Sequence, residues 1–211
     1  MITNLLILLN VLAFLWELAV TGGGALSGQI SSSSPIVNYI LAPVDVKVNH
    51  EYYRMITCGF MHGSLIHVAV NMISLAALGR FIERTVGSTR MFLIYFISLI
   101  GASFGVVFFS QPLVPTLGAS GAIFGLFGAL FAIGFKYGPA GMKLIKANIG
   151  ILVLNLIITF TLSFISKEAH IAGLIVGFIF TYATFFPPRP VRAYVVDANT
   201  GEQLESHIET R

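Results

Sequence analysis

Residues 120–135 read SGAIFGLFGALFAIGF, an apolar run that begins with a serine. A helix of this length is about 24 Å long, which is shorter than the hydrocarbon core of a bilayer at about 30 Å. If the run crosses a membrane, Ser120 lies below one membrane surface, and residues 111–118 must dip inward to reach it. Irregular backbone is tolerated at that depth only where protein or water surrounds it. The run therefore predicts a water-accessible cavity beside Ser120.

The composition of the whole chain is typical of a membrane protein. Of its 211 residues, 56% are hydrophobic and 10% are charged, against roughly 25% charged in an average soluble domain. Six spans of about 20 residues would use a little over half of the chain, which matches the apolar fraction. The net charge of +3 is small and its cations lie between apolar runs, which argues against a nucleic-acid partner. A single cysteine, Cys58, excludes a disulfide framework and a cysteine-based metal site.

Six apolar runs predict six membrane-spanning helices. The first is interrupted only by Asn4, Asn10 and Glu17, and it has no Lys or Arg before it. It is also longer than the apolar region of a signal peptide, about 7–15 residues, so we expect it to be retained. A long polar loop rich in Gly and Ser, residues 21–54, follows it. The six predicted spans are residues 2–20, 60–79, 91–110, 120–135, 144–163 and 169–186.

The last span is followed by a polar tail, residues 187–211. Three prolines at its start, Pro187, Pro188 and Pro190, end the preceding helix because proline lacks a backbone donor. The tail is too polar to hold a further span. We therefore predict two parts, a six-helix core over residues 1–186 and this tail.

The basic residues predict the orientation of the helices, because short cytoplasmic loops collect Lys and Arg. Eight of them lie in the connections after even-numbered spans or at the start of the tail, and three lie on the other side. We therefore expect both termini and the tail in the cytoplasm and the Gly/Ser loop outside.

Four polar residues lie inside the predicted spans, where burying a polar group is costly and a functional role is the first hypothesis. His67 and Asn71 lie in the second span, Ser120 begins the fourth, and His170 lies near the start of the sixth. All three spans run from the outside inward. The four residues are therefore predicted to share the outer leaflet.

The spacing of glycines predicts that spans 4 and 6 pack closely. His170 shares a helix face with Gly173 and Gly177, and Gly121 begins a similar strip beside Ser120. Ser120 would then lie near His170, which could take the serine's proton during attack on a carbonyl. No acidic residue lies at the same depth, so the pair would act as a dyad. Ordinary glycine packing with an incidental serine and histidine accounts for the spacing equally well.

His67 and Asn71 are four residues apart and lie on one helix face. Their side-chain donors could hold the oxyanion of a tetrahedral intermediate, together with backbone N–H groups at the start of span 4. The alternatives are an interhelical hydrogen bond for Asn71 and a metal ligand for His67. A metal site is disfavoured because His62 lies off this face and the chain has no H-E-x-x-H motif.

Three motifs together resemble the signatures of the rhomboid family of intramembrane serine proteases. They are HGSLIHVAVN at residues 62–71, GASG at residues 118–121 and AHIAGLIVG at residues 169–177. The resemblance covers the six-helix core. Residues 83–88 are also similar to the family's glutamate-containing turn before the third helix.

The resemblance implies an all-α membrane protein, a six-transmembrane-helix rhomboid-type bundle with a long outer first loop and a short span 4 that starts at the catalytic serine. It implies Ser120 as the nucleophile and His170 as the general base and later acid. His67, Asn71 and the Ser120 backbone N–H would form the oxyanion site. It implies no cofactor and no metal. The supporting positions of the motifs are His62, Gly118, Gly121, Phe124, Gly173 and Gly177.

The function that follows is a serine endopeptidase of a prokaryotic cytoplasmic membrane. It would hydrolyse peptide bonds in or next to transmembrane segments of membrane proteins, and its partners would be these substrates and the lipid bilayer. Two positions depart from the family pattern. Many members have Trp-Arg in the first loop where this chain has Tyr53-Arg54, and many have a tyrosine stacked on the histidine where this chain has Phe124.

Two other functions compete with a protease. A non-catalytic rhomboid-like protein would bind and escort membrane clients, but such relatives typically lack the serine or the histidine. A small transporter or channel would need polar residues along the whole membrane depth, whereas those of this chain stop in one leaflet.

Overall fold

The computed structural model describes residues 1–161, 166–187, 191–196 and 203–208. Single 3₁₀ turns lie at Gly24–Leu26, Pro35–Asn38 and Cys58–Phe60. Two strands, β1 (Val191–Val196) and β2 (Gln203–Ile208), lie in the tail. The helices are α1 (Ile2–Val20), α2 (Pro43–Lys47), α3 (Arg54–Thr57), α4 (Leu65–Val86), α5 (Ser88–Phe109), α6 (Ser120–Lys136), α7 (Pro139–Thr161) and α8 (Lys167–Thr184).

Long helices occupy the six positions at which the apolar pattern predicts spans. Three of them, α1, α4 and α5, are long and apolar enough to cross a membrane, and α6 is apolar but shorter. The expectation of an all-helical apolar core is therefore confirmed. The number of spans stays a prediction.

Helix α4 differs most from its predicted bounds of 60–79. It begins later because Gly63 adopts a positive φ of 67° and the Ser64 hydroxyl accepts the N–H of His67, which caps the first turn. It ends later, at Gly87 with φ of 86°, a conformation that favours glycine. Residues Leu75–Gly79 form a π-helical stretch within it. His67 consequently lies in the first turn of a helix rather than in its middle.

Helix α6 is the centre of the core. Its residues from Gly121 to Gly134 are buried, apart from the half-buried Phe131. Helices α4, α5, α7 and α8 surround it. Because α6 has almost no surface facing lipid, its position is fixed by protein contacts on every side.

Helices α6 and α8 touch through their backbones. A Cβ on Gly173 would lie 2.1 Å from the carbonyl oxygen of Gly121, and one on Gly177 would lie 2.1 Å from that of Gly125. Gly128 packs in the same way further along α6, with its Cβ position 2.1 Å from an α8 carbonyl oxygen. Only glycine fits at these positions. The contact brings the first residues of the two helices side by side.

At the other end of the bundle, one carboxylate ties α1 to α4. Glu83 accepts the backbone N–H groups of Ile2 and Thr3 at 2.6 and 3.0 Å and the hydroxyls of Thr3 and Ser88 at 2.7 and 2.6 Å. These bonds satisfy the unpaired N–H groups at the start of α1. The stretch 83–88 therefore joins three helices at the end remote from Ser120.

The tail adds two short strands that the sequence pattern did not indicate. Strands β1 and β2 pair antiparallel, with Val191 opposite Ile208 and Val196 opposite Gln203. Strand β1 reads VRAYVV, which is rich in the β-branched and aromatic residues typical of strands, whereas β2 reads QLESHI and has no regular alternation. The polarity of the tail as a whole obscured this signal.

We expect the Gly177→Ala substitution to destabilise the protein, because its Cβ would overlap the Gly125 carbonyl oxygen and push α6 and α8 apart. Overpacking of this kind costs about 1–3 kcal/mol. Thermal unfolding in detergent measures it. Gly150→Ala is the matched control, since a Cβ at this helical glycine of α7 meets nothing within 4 Å, and there alanine gains helix propensity. Equal melting temperatures for the two variants would contradict the close contact.

Candidate active site

Ser120 is the first residue of α6, and His170 lies in the first turn of α8. The Ser120 Oγ lies 2.7 Å from the His170 Nε2, within hydrogen-bond reach. His170 is 5% exposed, whereas Ser120 is half-buried. The histidine is thus shielded, and the serine can be approached from outside the protein.

Phe124, one helical turn after Ser120, holds the plane of the His170 ring. The two rings are stacked with centroids 4.2 Å apart and an interplanar angle of 11°. Phe124 is buried and cannot turn away without displacing its neighbours in the core. The aromatic contact of the family pattern is therefore present, without a hydroxyl group.

The segment before Ser120 runs inward from the surface. Residues 111–115 are exposed, residues 116–118 are half-buried and Ala119 is buried. Thr116 in this segment exchanges two backbone hydrogen bonds, at 3.0 and 2.7 Å, with Leu41 of the first loop. The Gly118 N–H donates to the Cys58 carbonyl at 2.8 Å. The first loop thus fixes the backbone that leads to Ser120.

His67 and Asn71 lie beside this segment at Gly118. A Cβ on Gly118 would lie 2.7 Å from the Nε2 of His67 and 3.7 Å from the Nδ2 of Asn71. Gly118 has φ of 116°, where other residues are strained. Glycine is required here both for the backbone conformation and for the space that the imidazole occupies. Four predicted site residues, Ser120, His170, His67 and Asn71, therefore converge at one end of the bundle.

The hydrogen bonds of His67 decide which of its nitrogens can donate. Its Nδ1 lies 2.7 Å from the carbonyl oxygen of His62, and a carbonyl only accepts, so Nδ1 carries a proton. In the neutral ring Nε2 then has a lone pair, and it donates only when the ring carries a second proton. Asn71 donates one N–H to the His67 carbonyl at 3.1 Å, and its amide has a second N–H to offer. Asn71 is a donor in either protonation state of His67.

The supporting residues of the motifs fall into two groups. Gly121, Gly173 and Gly177 lie in the backbone contact between α6 and α8. His62 is buried in the turn before α4, and its ring lies edge-on to that of His67 with centroids 5.1 Å apart. Within the described ranges, no three His, Cys, Asp or Glu side chains gather in an arrangement that could hold a metal ion.

The sequence matches the Rhomboid domain over residues 49–186, a range that includes all four convergent residues. The chain belongs to the rhomboid family. The same range contains the last residues of the first loop, α3, α4 and the helices from α5 to α8.

Similar rhomboid proteins include both proteases and a member named inactive. Rhomboid protease GluP of Bacillus subtilis is 33% identical over 186 residues, which is 88% of this chain and 35% of GluP. The putative rhomboid protease YdcA of the same bacterium is 35% identical over 136 residues, 64% of this chain and 68% of that protein. Inactive RHOMBOID-like protein 8 of Arabidopsis thaliana is 33% identical over 145 residues, 67% of this chain and 40% of that protein. This chain thus spans about a third of GluP, and family membership alone does not establish catalysis.

One residue at the candidate site escaped the sequence pattern. Glu17, near the end of α1, is fully buried, and its carboxylate accepts the backbone N–H groups of His62 and Gly63 at 2.8 Å each. A carboxylate within an apolar span is a signal of function in itself. Its partners, however, are backbone groups in a turn, which no side-chain pattern reveals.

We expect Asn71→Ala to lower kcat by about 10²-fold while KM changes little, because a donor aimed at the oxyanion acts only in the transition state. The measurements are kcat, KM and thermal stability in reconstituted membranes. Asn10→Ala is the matched control, since Asn10 is also buried and also donates its amide to the carbonyl four residues earlier, at 2.7 Å. Near-normal kcat in Asn71→Ala with a lowered melting temperature would assign Asn71 to helix packing instead.

Proposed function

We propose that this chain is an intramembrane serine endopeptidase that hydrolyses peptide bonds in or next to transmembrane segments of other membrane proteins. The observation that carries this proposal is the 2.7 Å separation between Ser120 Oγ and His170 Nε2. Membership of the rhomboid family, in which relatives are named proteases, supports it.

The chemistry begins when Ser120 Oγ attacks the scissile carbonyl carbon and His170 Nε2 takes the hydroxyl proton. The carbonyl oxygen becomes an oxyanion, for which Asn71 and the Ser120 backbone N–H are donors, and His67 joins them when its ring is doubly protonated. The dipole at the start of α6 favours the same negative charge.

The intermediate collapses when the C–N bond breaks and His170 returns its proton to the leaving amine. The acyl-enzyme ester at Ser120 is then hydrolysed. Water attacks the ester carbonyl and gives a proton to His170, which passes it to Ser120 Oγ as the C–O bond breaks. Atoms and charges balance with the two side chains and one water.

Substrate preference follows from the geometry of attack. In a helix each carbonyl is hydrogen-bonded and enclosed by side chains, so the scissile segment must unwind before Ser120 reaches it. Segments with glycine or other small residues unwind at the lowest cost. We therefore propose transmembrane substrates with small residues near the membrane surface as the class that this protein cleaves.

The proposed membrane setting follows from the basic residues. Arg80, Arg84 and Arg90 lie around the turn between α4 and α5, at the end of the bundle remote from Ser120. If cations mark the cytoplasmic side, both termini are cytoplasmic and the active site lies toward the outer leaflet of a prokaryotic cytoplasmic membrane.

The similarity to inactive RHOMBOID-like protein 8 supports a second candidate function, client binding without catalysis. A non-catalytic protein of this fold would bind membrane clients without cleaving them. The paired Ser120 and His170 favour the protease, because a base 2.7 Å from a serine hydroxyl is the arrangement that nucleophilic catalysis requires.

We expect purified wild-type chain in liposomes to cleave a single-span model substrate, and Ser120→Ala and His170→Ala each to lower turnover by at least about 10³-fold, because the pair acts as a unit. Substrate fragments are quantified by mass spectrometry, with circular dichroism as the check on folding. Ser33→Ala and His50→Ala, both in exposed loop positions, are the controls and should cleave normally.

Two results would contradict the proposed function. Ser120→Ala turnover within about tenfold of wild type would remove the serine from the chemistry. Binding of the substrate by wild type without any cleavage would favour the client-binding protein.

A further inference from the structure

The buried carboxylate of Glu17 has two backbone partners that belong to one turn. Its two oxygens accept the N–H groups of His62 and Gly63, each at 2.8 Å. A charge with 0% exposure in an apolar helix is costly unless it is paired or strongly hydrogen-bonded. Bonds from N–H groups to a carboxylate are among the stronger ones in proteins. The two bonds therefore hold the 62–63 turn against the end of α1.

This turn is also packed against the backbone that leads to Ser120. Gly63 has φ of 67°, and a Cβ there would lie 3.1 Å from the side chains of both Ile30 and Leu117. The turn thus fits between the first loop and the segment before the serine. It therefore has little room to shift.

A single peptide unit connects Glu17 to His67. The peptide between His62 and Gly63 donates its N–H to the Glu17 carboxylate, and its carbonyl accepts the Nδ1–H of His67 at 2.7 Å. The peptide is planar, so its N–H and carbonyl move together as one rigid group. Hydrogen bonds in such a chain also polarise one another.

We propose that Glu17 is the positioning residue of the oxyanion site, acting through the His62–Gly63 peptide to hold the His67 imidazole beside Gly118 with its proton on Nδ1. This inference rests on the proposed protease function. A hydrogen bond to Nδ1 fixes both the tautomer and the orientation of a histidine ring, and the group behind that bond fixes it in turn. Glu17 thereby keeps the Nε2 side of the ring turned toward Gly118 and the start of α6.

The competing explanation is that Glu17 only fastens α1 to the rest of the bundle. Glu83 provides the matched comparison, because it is also buried and also accepts two backbone N–H groups, those of Ile2 and Thr3, at the opposite end of α1. If both carboxylates only fasten α1, the same substitution should affect turnover equally at the two ends of the helix. If Glu17 also positions His67, substituting Glu17 should lower turnover more than substituting Glu83.

The test compares Glu17→Gln with Glu83→Gln. Glutamine keeps the shape of the side chain, but it replaces one acceptor oxygen with an NH₂ group that faces a backbone N–H. For Glu17→Gln we expect kcat to fall about 10- to 100-fold with KM within about twofold, since small misplacements of catalytic groups have effects of this size. For Glu83→Gln we expect turnover to follow the folded fraction alone.

The second readout is independent of catalysis. Nitrogen-15 histidine NMR, assigned with His67→Ala, should show the hydrogen-bonded Nδ1 proton of His67 in wild type and in Glu83→Gln, and a shifted or exchange-broadened signal in Glu17→Gln. An unchanged His67 signal in Glu17→Gln, or a kcat loss no larger than its folded fraction explains, would overturn the proposal. If the Gln variant does not fold, Glu17→Asp, which keeps the charge but is one methylene shorter, is measured with the same criteria.

The two proposals fail in different ways. A wild-type protein that cleaves no substrate would contradict the protease function, while the NMR comparison would still decide whether Glu17 holds His67.

Discussion

The site depends on the backbone contact between α6 and α8. With carbonyl oxygens of α6 lying 2.1 Å from where a Cβ would be on Gly173 and Gly177, the two helices come as close as their main chains allow. Helices that pack through ordinary side chains have axes about 8–10 Å apart. At that spacing, a gap would separate a serine and a histidine at the starts of the two helices. The glycine contact removes that gap, and it allows Phe124 to stack on the same histidine that Ser120 contacts. Packing and chemistry therefore share one set of residues.

Around this contact, buried charged groups are satisfied mainly by backbone groups. Glu17 and Glu83 each accept two backbone N–H groups. Glu17 lies near the last turn of α1, and Glu83 contacts the first turn of the same helix. Arg54, which is 6% exposed, donates to the carbonyls of Val37 and Ile40 and pairs with Glu51, so it holds the first loop from within. In an apolar protein such bonds are costly to break, because the freed group has no water with which to form a replacement hydrogen bond. They fix the loop and the turn that border Ser120 and His67.

Much of this arrangement can be predicted from the sequence. The parts that cannot be predicted depend on backbone conformation and backbone hydrogen bonds. The positions of the long helices follow from apolar runs, and the spacing of His170, Gly173 and Gly177 marks the face of α8 that meets α6. The apolar run predicts the start of α4 about five residues too early because it continues through the Gly63 turn, where a positive φ and the Ser64 cap set the true boundary. The side-chain pattern does not indicate the role of Glu17, because its partners are backbone N–H groups, nor the tail strands, because their residues do not alternate regularly.

We propose that the α6–α8 contact makes Ser120 a nucleophile that His170 activates. The most direct measurement is the reaction of the purified protein with a fluorophosphonate, which modifies activated serines and needs no knowledge of the substrate. We expect one adduct, on Ser120, identified by peptide mass spectrometry, and its loss in His170→Ala protein that keeps its helical content. Equal labelling of several serines, or undiminished labelling of Ser120 in His170→Ala, would contradict it.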